Sequence, residues 1–318
     1  MVTKMRNILQ TLVASLSAGN FIARTEASWA KPIESWAAVP AVYKGFFEPL
    51  LAAGRAFPYT LLTPSYEGFM HRTTEKLVCD LGREIHVLER SRETFEAQCY
   101  PLEGISYVET RTMLLASSIT ICGLTRQGLP AASTVEFNSV TDHLFTPLVE
   151  HMRLPAAASG EAVQPSELEK FDGWTRLNYK FMSYAKSSLL PGEKVICAVL
   201  QPEIRASVLR FLGKAYYRTL FPAHASILTD REFITIRDDE KLGGEGKHGG
   251  VWDYIPLSKI VALSLTPKEN DLLVLSVGLP ENVWLEYVFQ ASARREVEQL
   301  LARLRELTRV LPNSAPSA

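Results

Sequence analysis

The sequence has no excess of either charge: 34 Lys and Arg residues stand against 35 Asp and Glu residues, which gives a formal net charge of −1. Proteins that bind nucleic acid generally carry a basic excess, because their cationic side chains displace the counterions that surround the phosphates. The charge balance therefore argues against a nucleic-acid partner.

Long apolar runs are also missing. No stretch approaches the ~18 continuous apolar residues of a membrane-spanning helix. The segment Lys4-Met5-Arg6, followed by residues 8–16, faintly resembles a signal peptide, but Gln10 and Thr11 interrupt its apolar part. An amphipathic helix explains these residues equally well. We therefore predict a cytoplasmic protein, with peripheral attachment to a membrane as an alternative.

Cysteine is scarce, and its spacing is typical of no metal site. No two Cys residues form a CxxC pair, and no His lies at a spacing that completes a zinc site. A disulfide is not required either, because isolated thiols in strand-like runs behave as small buried apolar groups. We predict no metal and no cofactor. The four cysteines are Cys79, Cys99, Cys122 and Cys197.

The motifs of common enzymes are missing as well. The segment from Gly244 to Val251 matches the glycine-rich pattern GxGxxGxV, but it leads into a predicted strand, whereas a dinucleotide cradle needs a helix there. We interpret it as a hairpin loop. The six histidines are scattered, and there is no Gly-x-Ser-x-Gly elbow. We predict no catalytic residues and no enzymatic activity; an enzyme of unrecognised type is a remote alternative.

The residues that are present predict a β-rich globular protein. Apolar residues make up 47% of the chain and charged residues 22%, enough to form a sizeable core. From Tyr59 onward apolar residues recur with a period of two, which is typical of strands, and a helical pattern follows from Val140 to Met152. The predicted strands are 59–63, 76–79, 84–88, 95–100, 105–108, 118–122 and 133–137.

The second half repeats this plan. A small-residue linker at 155–165 precedes one long predicted helix, opened by a Ser166-x-x-Glu169 capping box and closed at Pro191-Gly192. An insertion near 202–222 is predicted to be helical, and a last helix carries apolar residues from Val297 to Leu307. The predicted strands are 194–200, 225–229, 233–237, 251–255, 260–265, 272–277 and 284–289.

The two halves also share local sequence. Tyr100-Pro101-Leu102-x-x-Ile105 in the first half matches Ile255-Pro256-Leu257-x-x-Ile260 in the second. Because both this match and the order of the elements agree, we interpret the chain as an internal duplication of one β-rich unit.

The second half resembles the bacterial pleckstrin-homology-like (PH-like) and GRAM-like families. The resemblance rests on Ala223 to Arg231, Phe233 to Arg237 and Trp252 to Ile260, where an Ile-Pro-Leu-x-x-Ile turn joins two strands. It extends more weakly to residues 59–153. It implies an α+β, mainly β fold: two tandem PH-like split β-barrels, each of about seven antiparallel strands plus a C-terminal helix, with a helical N-terminal extension.

The predicted division of the chain follows from that resemblance. It comprises a helical extension (1–56), a first PH-like domain (57–154), a linker and connector helix (155–191), a second PH-like domain (192–311) and a disordered tail (312–318). Proteins that resemble this family mostly bind proteins, lipids or peptides, so the resemblance implies no catalytic residues. The Lys-x(n)-Arg-x-Arg cluster with which eukaryotic PH domains bind phosphoinositides is not matched here, since the corresponding loop offers Arg83 and little else.

The aromatic N-terminal segment is the one candidate contact site. Its side chains could cover the first barrel, lie on a membrane surface or dock a partner. We expect a non-catalytic binding or scaffolding protein whose partner is a protein or peptide, with a lipid headgroup as the alternative; the oligomeric state stays open. The candidate residues are Trp29, Trp36, Tyr43, Phe46 and Phe47.

Overall fold

The computed structural model describes residues 26–67, 72–153, 162–211, 214–238 and 249–310. Most of the N-terminal extension, most of the predicted linker, nearly all of the glycine-rich loop and the C-terminal tail lie outside these residues. The protein is mainly β, with several antiparallel sheets accompanied by helices. Within the described part of the chain, no helix is long and apolar enough to cross a bilayer.

In the first half, the described residues form all seven predicted strands, two short additional hairpin strands, one short edge strand and two α-helices. These elements are β1 (Lys31–Pro32), α1 (Lys44–Ala52), β2 (Tyr59–Thr63), β3 (Tyr66–Glu67), β4 (Arg72–Thr73), β5 (Lys76–Asp80), β6 (Glu84–Ser91), β7 (Thr94–Pro101), β8 (Ile105–Met113), β9 (Ala116–Leu124), β10 (Pro130–Asn138) and α2 (Asp142–Arg153).

The second half also contains its seven predicted strands and its C-terminal helix. Its elements are α3 (Pro165–Glu169), α4 (Tyr179–Ser188), β11 (Val195–Gln201), β12 (Ile204–Phe211), β13 (Lys214–Phe221), β14 (His224–Thr229), β15 (Glu232–Arg237), β16 (Gly250–Pro256), β17 (Ala262–Lys268), β18 (Leu272–Leu279), β19 (Val283–Gln290) and α5 (Arg294–Thr308).

One of the sheets joins strands from both halves. A five-stranded sheet has the order β1-β2-β5-β6-β7, and a seven-stranded sheet has the order β10-β9-β8-β16-β15-β14-β11. The pairing of β8 with β16, in which Val251 faces Arg111, unites the halves in one sheet. Strands β17, β18 and β19 form a separate sheet. Tandem PH-like barrels are therefore not confirmed, and none of the sheets described closes into a barrel.

Two predictions of helix are wrong. The insertion near 202–222 is the β-hairpin of β12 and β13, in keeping with the strand preference of its aromatic and β-branched residues. The long helix predicted from Ser166 is broken into α3, a 3-10 turn at Asp172–Arg176 and α4. Asn178 starts α4 afresh, because its side chain accepts a hydrogen bond from the Phe181 N–H at 3.3 Å. No side-chain cap opens α3, so the predicted capping box does not form.

The N-terminal segment contains three prolines, residues that usually start or end helices. Pro40 does precede a 3-10 turn, and Pro32 lies in β1, but Pro49 lies inside α1. Pro49 is the sixth of the nine residues of α1, so the helix lacks the hydrogen bond that an N–H there would donate to the Gly45 carbonyl.

The repeated sequence motifs adopt the same local structure. Pro101 and Pro256 each end a strand with an extended backbone, and each precedes a single 3-10 turn, at Leu102–Gly104 and Leu257–Lys259. A 3-10 turn also links the last strand of each half to its helix. These matching turns agree with the inferred duplication.

By its internal contacts the chain divides into two compact units. Unit 1 comprises residues 1–99 and 135–146, and unit 2 comprises residues 100–134 and 147–318. The domain boundaries predicted from the sequence follow the repeat instead, and they stay a prediction. In unit 1, Tyr43, which directly precedes α1, and Phe47 of α1 pack on buried residues of β5 and β6.

In unit 2 the seven-stranded sheet has a core on each face. Alternation along a strand sends neighbouring side chains to opposite faces, so Phe233 and Ile255 belong to one core and Ile234 and Tyr254 to the other. The first core also includes β18, β19 and α5, and the second includes Phe181 and other residues of α4.

Candidate functional site

The aromatic N-terminal residues lie in unit 1. Tyr43 and Phe47 are fully buried, and Trp36 and Phe46 are half-buried against the same core. Burial and the adjacent Glu75 carboxylate raise the pKa of Tyr43 well above its usual value. Trp29 is half-buried, and its buried Nε1 has no acceptor among the described residues.

This placement limits the surface that the segment can offer. Tyr43 and Phe47 present no side-chain surface to a partner or a membrane without rearrangement. Trp36 lies beside the Lys44 ammonium, with Nζ 5.2 Å from its ring centroid, so part of its face is already occupied. The exposed parts of Trp29, Trp36 and Phe46 are what a partner could contact, and that contact stays a prediction.

Sequence reasoning missed a second apolar feature, in unit 2. Leu114 and Leu115 form the two-residue turn between β8 and β9, and their side chains are 67% and 63% exposed. Leu114 has φ +49°, in the left-handed region that costs a bulky residue about 1–2 kcal/mol. In the turn between β17 and β18, Asn270 and Asp271 have left-handed backbone angles, and both are residue types common in such turns.

Two further exposed apolar side chains lie at the same end of the seven-stranded sheet. Gly249 precedes β16 beside the hairpin, since a Cβ built on it would lie 3.1 Å from Met113 Cα. The Gly249 N–H donates to Tyr184 Oη of α4 at 3.2 Å. Leu177 and Tyr179, at the start of that helix, are 72% and 67% exposed. We call Leu114, Leu115, Leu177 and Tyr179 the apolar end of unit 2.

The lysines near the apolar end are held in ion pairs. Lys180 Nζ lies 2.6 Å from Asp238 Oδ1, at the end of β15, and Lys186 Nζ lies 2.5 Å from Asp172 Oδ1. These pairs neutralise cations that would otherwise attract anionic lipid headgroups. Among the described residues, these two lysines of α4 therefore offer no uncompensated positive charge.

A row of polar residues crosses the seven-stranded sheet of unit 2. Glu109 of β8 faces Asp253 of β16, which in turn faces Thr235 of β15, so all three point to one face. Arg237 bonds the Asp253 carboxylate and donates to Glu109 Oε2 at 2.7 Å, while Thr235 Oγ1 donates to Asp253 Oδ2 at 2.8 Å. These bonds satisfy the buried charge and join strands of both halves.

Two buried polar atoms on the same face have no hydrogen-bond partner among the described residues. Ser226 Oγ and His224 Nε2 of β14 are both buried and make no hydrogen bond. Burial lowers the pKa of His224 to about 4, so the imidazole is neutral at pH 7. Its ring packs edge-on against Phe289, with centroids 4.7 Å apart. A neutral imidazole enclosed by aromatic rings behaves as part of the core.

One group of side chains could hold a metal ion. Glu84 and His86 of β6 and Cys99 of β7 place a carboxylate oxygen, an imidazole nitrogen and the thiol sulfur within 4.8 Å of one another, in unit 1. The interpretation of the sequence found no zinc spacing because these residues are joined by strand pairing rather than by a motif. Their signal is faint: polar residues two apart on a buried strand, facing a cysteine on the next strand.

No disulfide links the four cysteines, all of which lie in the described part of the chain. Burial raises the pKa of Cys197 to about 11 and that of Cys79 well above its usual range. These two thiols are therefore protonated at pH 7 and poor nucleophiles.

No known protein-family model matches the chain, and a search of curated proteins finds no match either.

Proposed function

We propose that this protein is a non-catalytic binding protein built from two PH-like modules, and that unit 2 docks an apolar segment of a protein partner on its apolar end. The exposed Leu114-Leu115 turn carries the proposal. Leucine is neither the residue that a left-handed turn position favours nor one that solvent favours. A residue that opposes both folding and solubility is best explained by a contact.

The order of the elements supports the PH-like part of the proposal. In the second half, β11, β14, β15 and β16 share one sheet, β17 to β19 form another, and α5 follows. In the first half, β2, β5, β6 and β7 share one sheet, β8 to β10 belong to another, and α2 follows. Four strands, three strands and a helix is the order expected of a PH-like module.

The charge near the apolar end favours protein over membrane as the occupant. A lipid surface is held by several cationic residues, each adding about 1 kcal/mol near an anionic membrane. Lys180 and Lys186 are neutralised by Asp238 and Asp172. Exposed leucines and an exposed tyrosine at one end of a sheet instead resemble the apolar centre of a protein interface.

The test compares a Leu114→Asn/Leu115→Ser variant with a Leu129→Asn control. Leu129 is equally exposed, at 63%, but lies in the β9–β10 turn at the other end of β9. Asn accepts the left-handed angle, so the double variant should unfold at the same or a higher urea concentration than the original chain. Loss of binding can then not be assigned to loss of folding.

Immobilised full-length chains are exposed to native lysate, and the captured proteins are quantified by mass spectrometry. We expect proteins that the original chain and the control capture equally and that the double variant loses at least tenfold, one of which binds again in purified form. Capture unchanged by the double variant would overturn the proposal. The proposal would also be overturned if no protein were captured and the chain instead co-sedimented with neutral or anionic liposomes in a way that depends on Leu114 and Leu115. The occupant would then be a membrane.

A further inference from the structure

Three electron-rich atoms converge on one point in the five-stranded sheet of unit 1. His86 Nε2 lies 3.3 Å from Glu84 Oε2 and 3.4 Å from Cys99 Sγ. Glu84 and His86 are two residues apart on β6 and so share a face, while Cys99 comes from the adjacent strand β7. Strand pairing therefore fixes all three donors on rigid backbone.

The geometry does not suit a catalytic relay. In a nucleophile–His–carboxylate triad, one ring nitrogen faces the nucleophile and the other faces the carboxylate. Here the same nitrogen, Nε2, faces both the Cys99 sulfur and the Glu84 oxygen. A single N–H cannot pass a proton from one to the other through the ring. Donors that meet at one point instead suit a cation placed among them.

Two of the three donor–donor distances fit a tetrahedral ion, and the third, from Glu84 Oε2 to Cys99 Sγ, is within 4.8 Å. Zinc bonds of about 2.0–2.3 Å at tetrahedral angles place neighbouring donor atoms about 3.4–3.6 Å apart. The Nε2–Oε2 and Nε2–Sγ distances of 3.3 and 3.4 Å are close to that spacing. Three protein donors leave the fourth position of such an ion for water or another ligand.

The charges balance as well. A Cys thiolate and a Glu carboxylate contribute two negative charges and a neutral imidazole none, so a divalent cation makes the group neutral. His86 and Cys99 are buried, and the Phe46 ring centroid lies 5.1 Å from that of His86. Low polarity on this side favours a neutral complex, since an uncompensated charge there would be costly.

We propose that Glu84, His86 and Cys99 form a binding site for a divalent transition-metal cation, with Zn²⁺ as the preferred ion. Thiolate and imidazole select zinc over the oxygen-loving Mg²⁺ and Ca²⁺. The bound ion would tie β6 to β7 at the edge of the five-stranded sheet. Cys79 faces His86 from β5 but is not one of the converging donors.

The test measures metal binding by the full-length chain with its thiols reduced. The chain is stripped with a chelator and titrated with Zn²⁺ in competition with a chromophoric chelator. We expect one Zn²⁺ per chain and an affinity at least about tenfold lower in Cys99→Ala and His86→Gln, because even outer partners of a metal site contribute that much. The matched controls Cys197→Ala and His143→Gln, which remove a thiol and an imidazole elsewhere, should bind as the original chain does.

Co²⁺ supplies a readout that needs no variant. Cobalt in the site of the original chain should show visible absorption typical of a tetrahedral ion and a thiolate-to-cobalt charge-transfer band. The proposal is overturned if the original chain takes up no stoichiometric Zn²⁺, if Cys99→Ala binds Zn²⁺ as tightly as the original chain, or if cobalt gives no thiolate band. A site variant that fails to fold leaves the cobalt spectrum as the deciding measurement.

Discussion

Arg153 and Glu232 form a buried ion pair in unit 2. Arg153 Nε donates to both carboxylate oxygens of Glu232, at 3.1 and 3.3 Å, and its Nη2 donates to the Ser188 carbonyl at 2.6 Å. The guanidinium also lies over the Tyr254 ring, 3.7 Å from its centroid. The two side chains are 6% and 3% exposed, so water contributes little to their solvation. The pair fixes the end of α2 to the start of β15.

Removing the arginine alone should destabilise the protein strongly. In Arg153→Met the Glu232 carboxylate stays buried without its cation, and we expect the free energy of unfolding to fall by about 3–5 kcal/mol. The double variant Arg153→Met/Glu232→Met should lose clearly less, because it buries no charge. Urea unfolding followed by circular dichroism measures both.

The surface pair of Lys186 with Asp172 is the control for that comparison. Lys186→Met should change the free energy of unfolding by less than about 1 kcal/mol, since exposed ion pairs contribute little. If Arg153→Met were no less stable than the double variant, the interpretation of a charge-balanced buried pair would be wrong.

The positions of the strands could be predicted from the sequence because alternation is a local property. Each predicted strand, from 59–63 to 284–289, is present in the structure. The pairing of β8 with β16 could not be predicted, because it joins residues such as Arg111 and Val251 that are far apart in sequence. Alternation shows which face of a strand is apolar but not which strand lies beside it.

The missed features of the candidate sites have similar causes. Leu114 and Leu115 resemble ordinary apolar residues of a strand, and only the backbone shows that they form an exposed turn. Cys99 lies thirteen residues from His86, a separation typical of no metal motif, and a hairpin brings the two side chains together. Contacts across strands depend on register, which single-sequence patterns do not fix.

The Glu193 carboxyl should make the protein less stable as the pH rises. Burial and the neighbouring Glu232 raise the pKa of Glu193 from 4.5 to about 7. Hydrogen bonds from the Thr229 hydroxyl to Glu193 Oε1, at 2.5 Å, and from the Leu190 N–H lower this pKa, but burial and Glu232 outweigh them. Because the folded pKa is the higher one, the stabilisation is complete below pH 4.5 and lost by pH 7.

Glu193→Gln should remove this slope. An amide cannot ionise, yet its oxygen can still accept from the Leu190 N–H, which now bonds Glu193 Oε2 at 2.8 Å. We expect the variant to gain up to about 3 kcal/mol relative to the original chain between pH 4.5 and pH 8. Urea unfolding at a series of pH values measures the difference, and a constant difference across that range would contradict the raised pKa.

His224 should produce the opposite slope. Burial lowers its pKa from 6.5 to about 4, so the stabilisation is complete above pH 6.5 and lost as the pH falls through 4. Between pH 6.5 and pH 4 the free energy of unfolding of the original chain should fall by about 3 kcal/mol through this group. His224→Phe keeps an aromatic ring against Phe289 and should abolish that fall.

The pH ranges of the two slopes overlap, so a comparison of the two single variants is informative. Between pH 4.5 and 6.5 the contributions of Glu193 and His224 oppose each other, so these two groups together should add little net pH dependence there. Glu193→Gln alone should then unfold more easily as the pH falls, and His224→Phe alone as the pH rises. An equal slope in both single variants would show that neither group titrates as its burial requires.

Gly249 marks the closest approach of β16 to β8, and a methyl group there should separate them. Its φ of +97° disfavours any other residue, and a Cβ would collide with the Thr112 carbonyl oxygen. Gly128 has a similar φ of +72° but open space around it, so Gly128→Ala measures the backbone cost alone. We expect Gly249→Ala to lower the free energy of unfolding by about 1–3 kcal/mol more than Gly128→Ala does, through overpacking.

Amide hydrogen exchange should also accelerate at Val251 and Arg111, which face each other across these strands. Equal losses in the two variants, with exchange unchanged, would mean that the two strands can move apart without cost, and the pairing that unites the halves would then contribute little to stability.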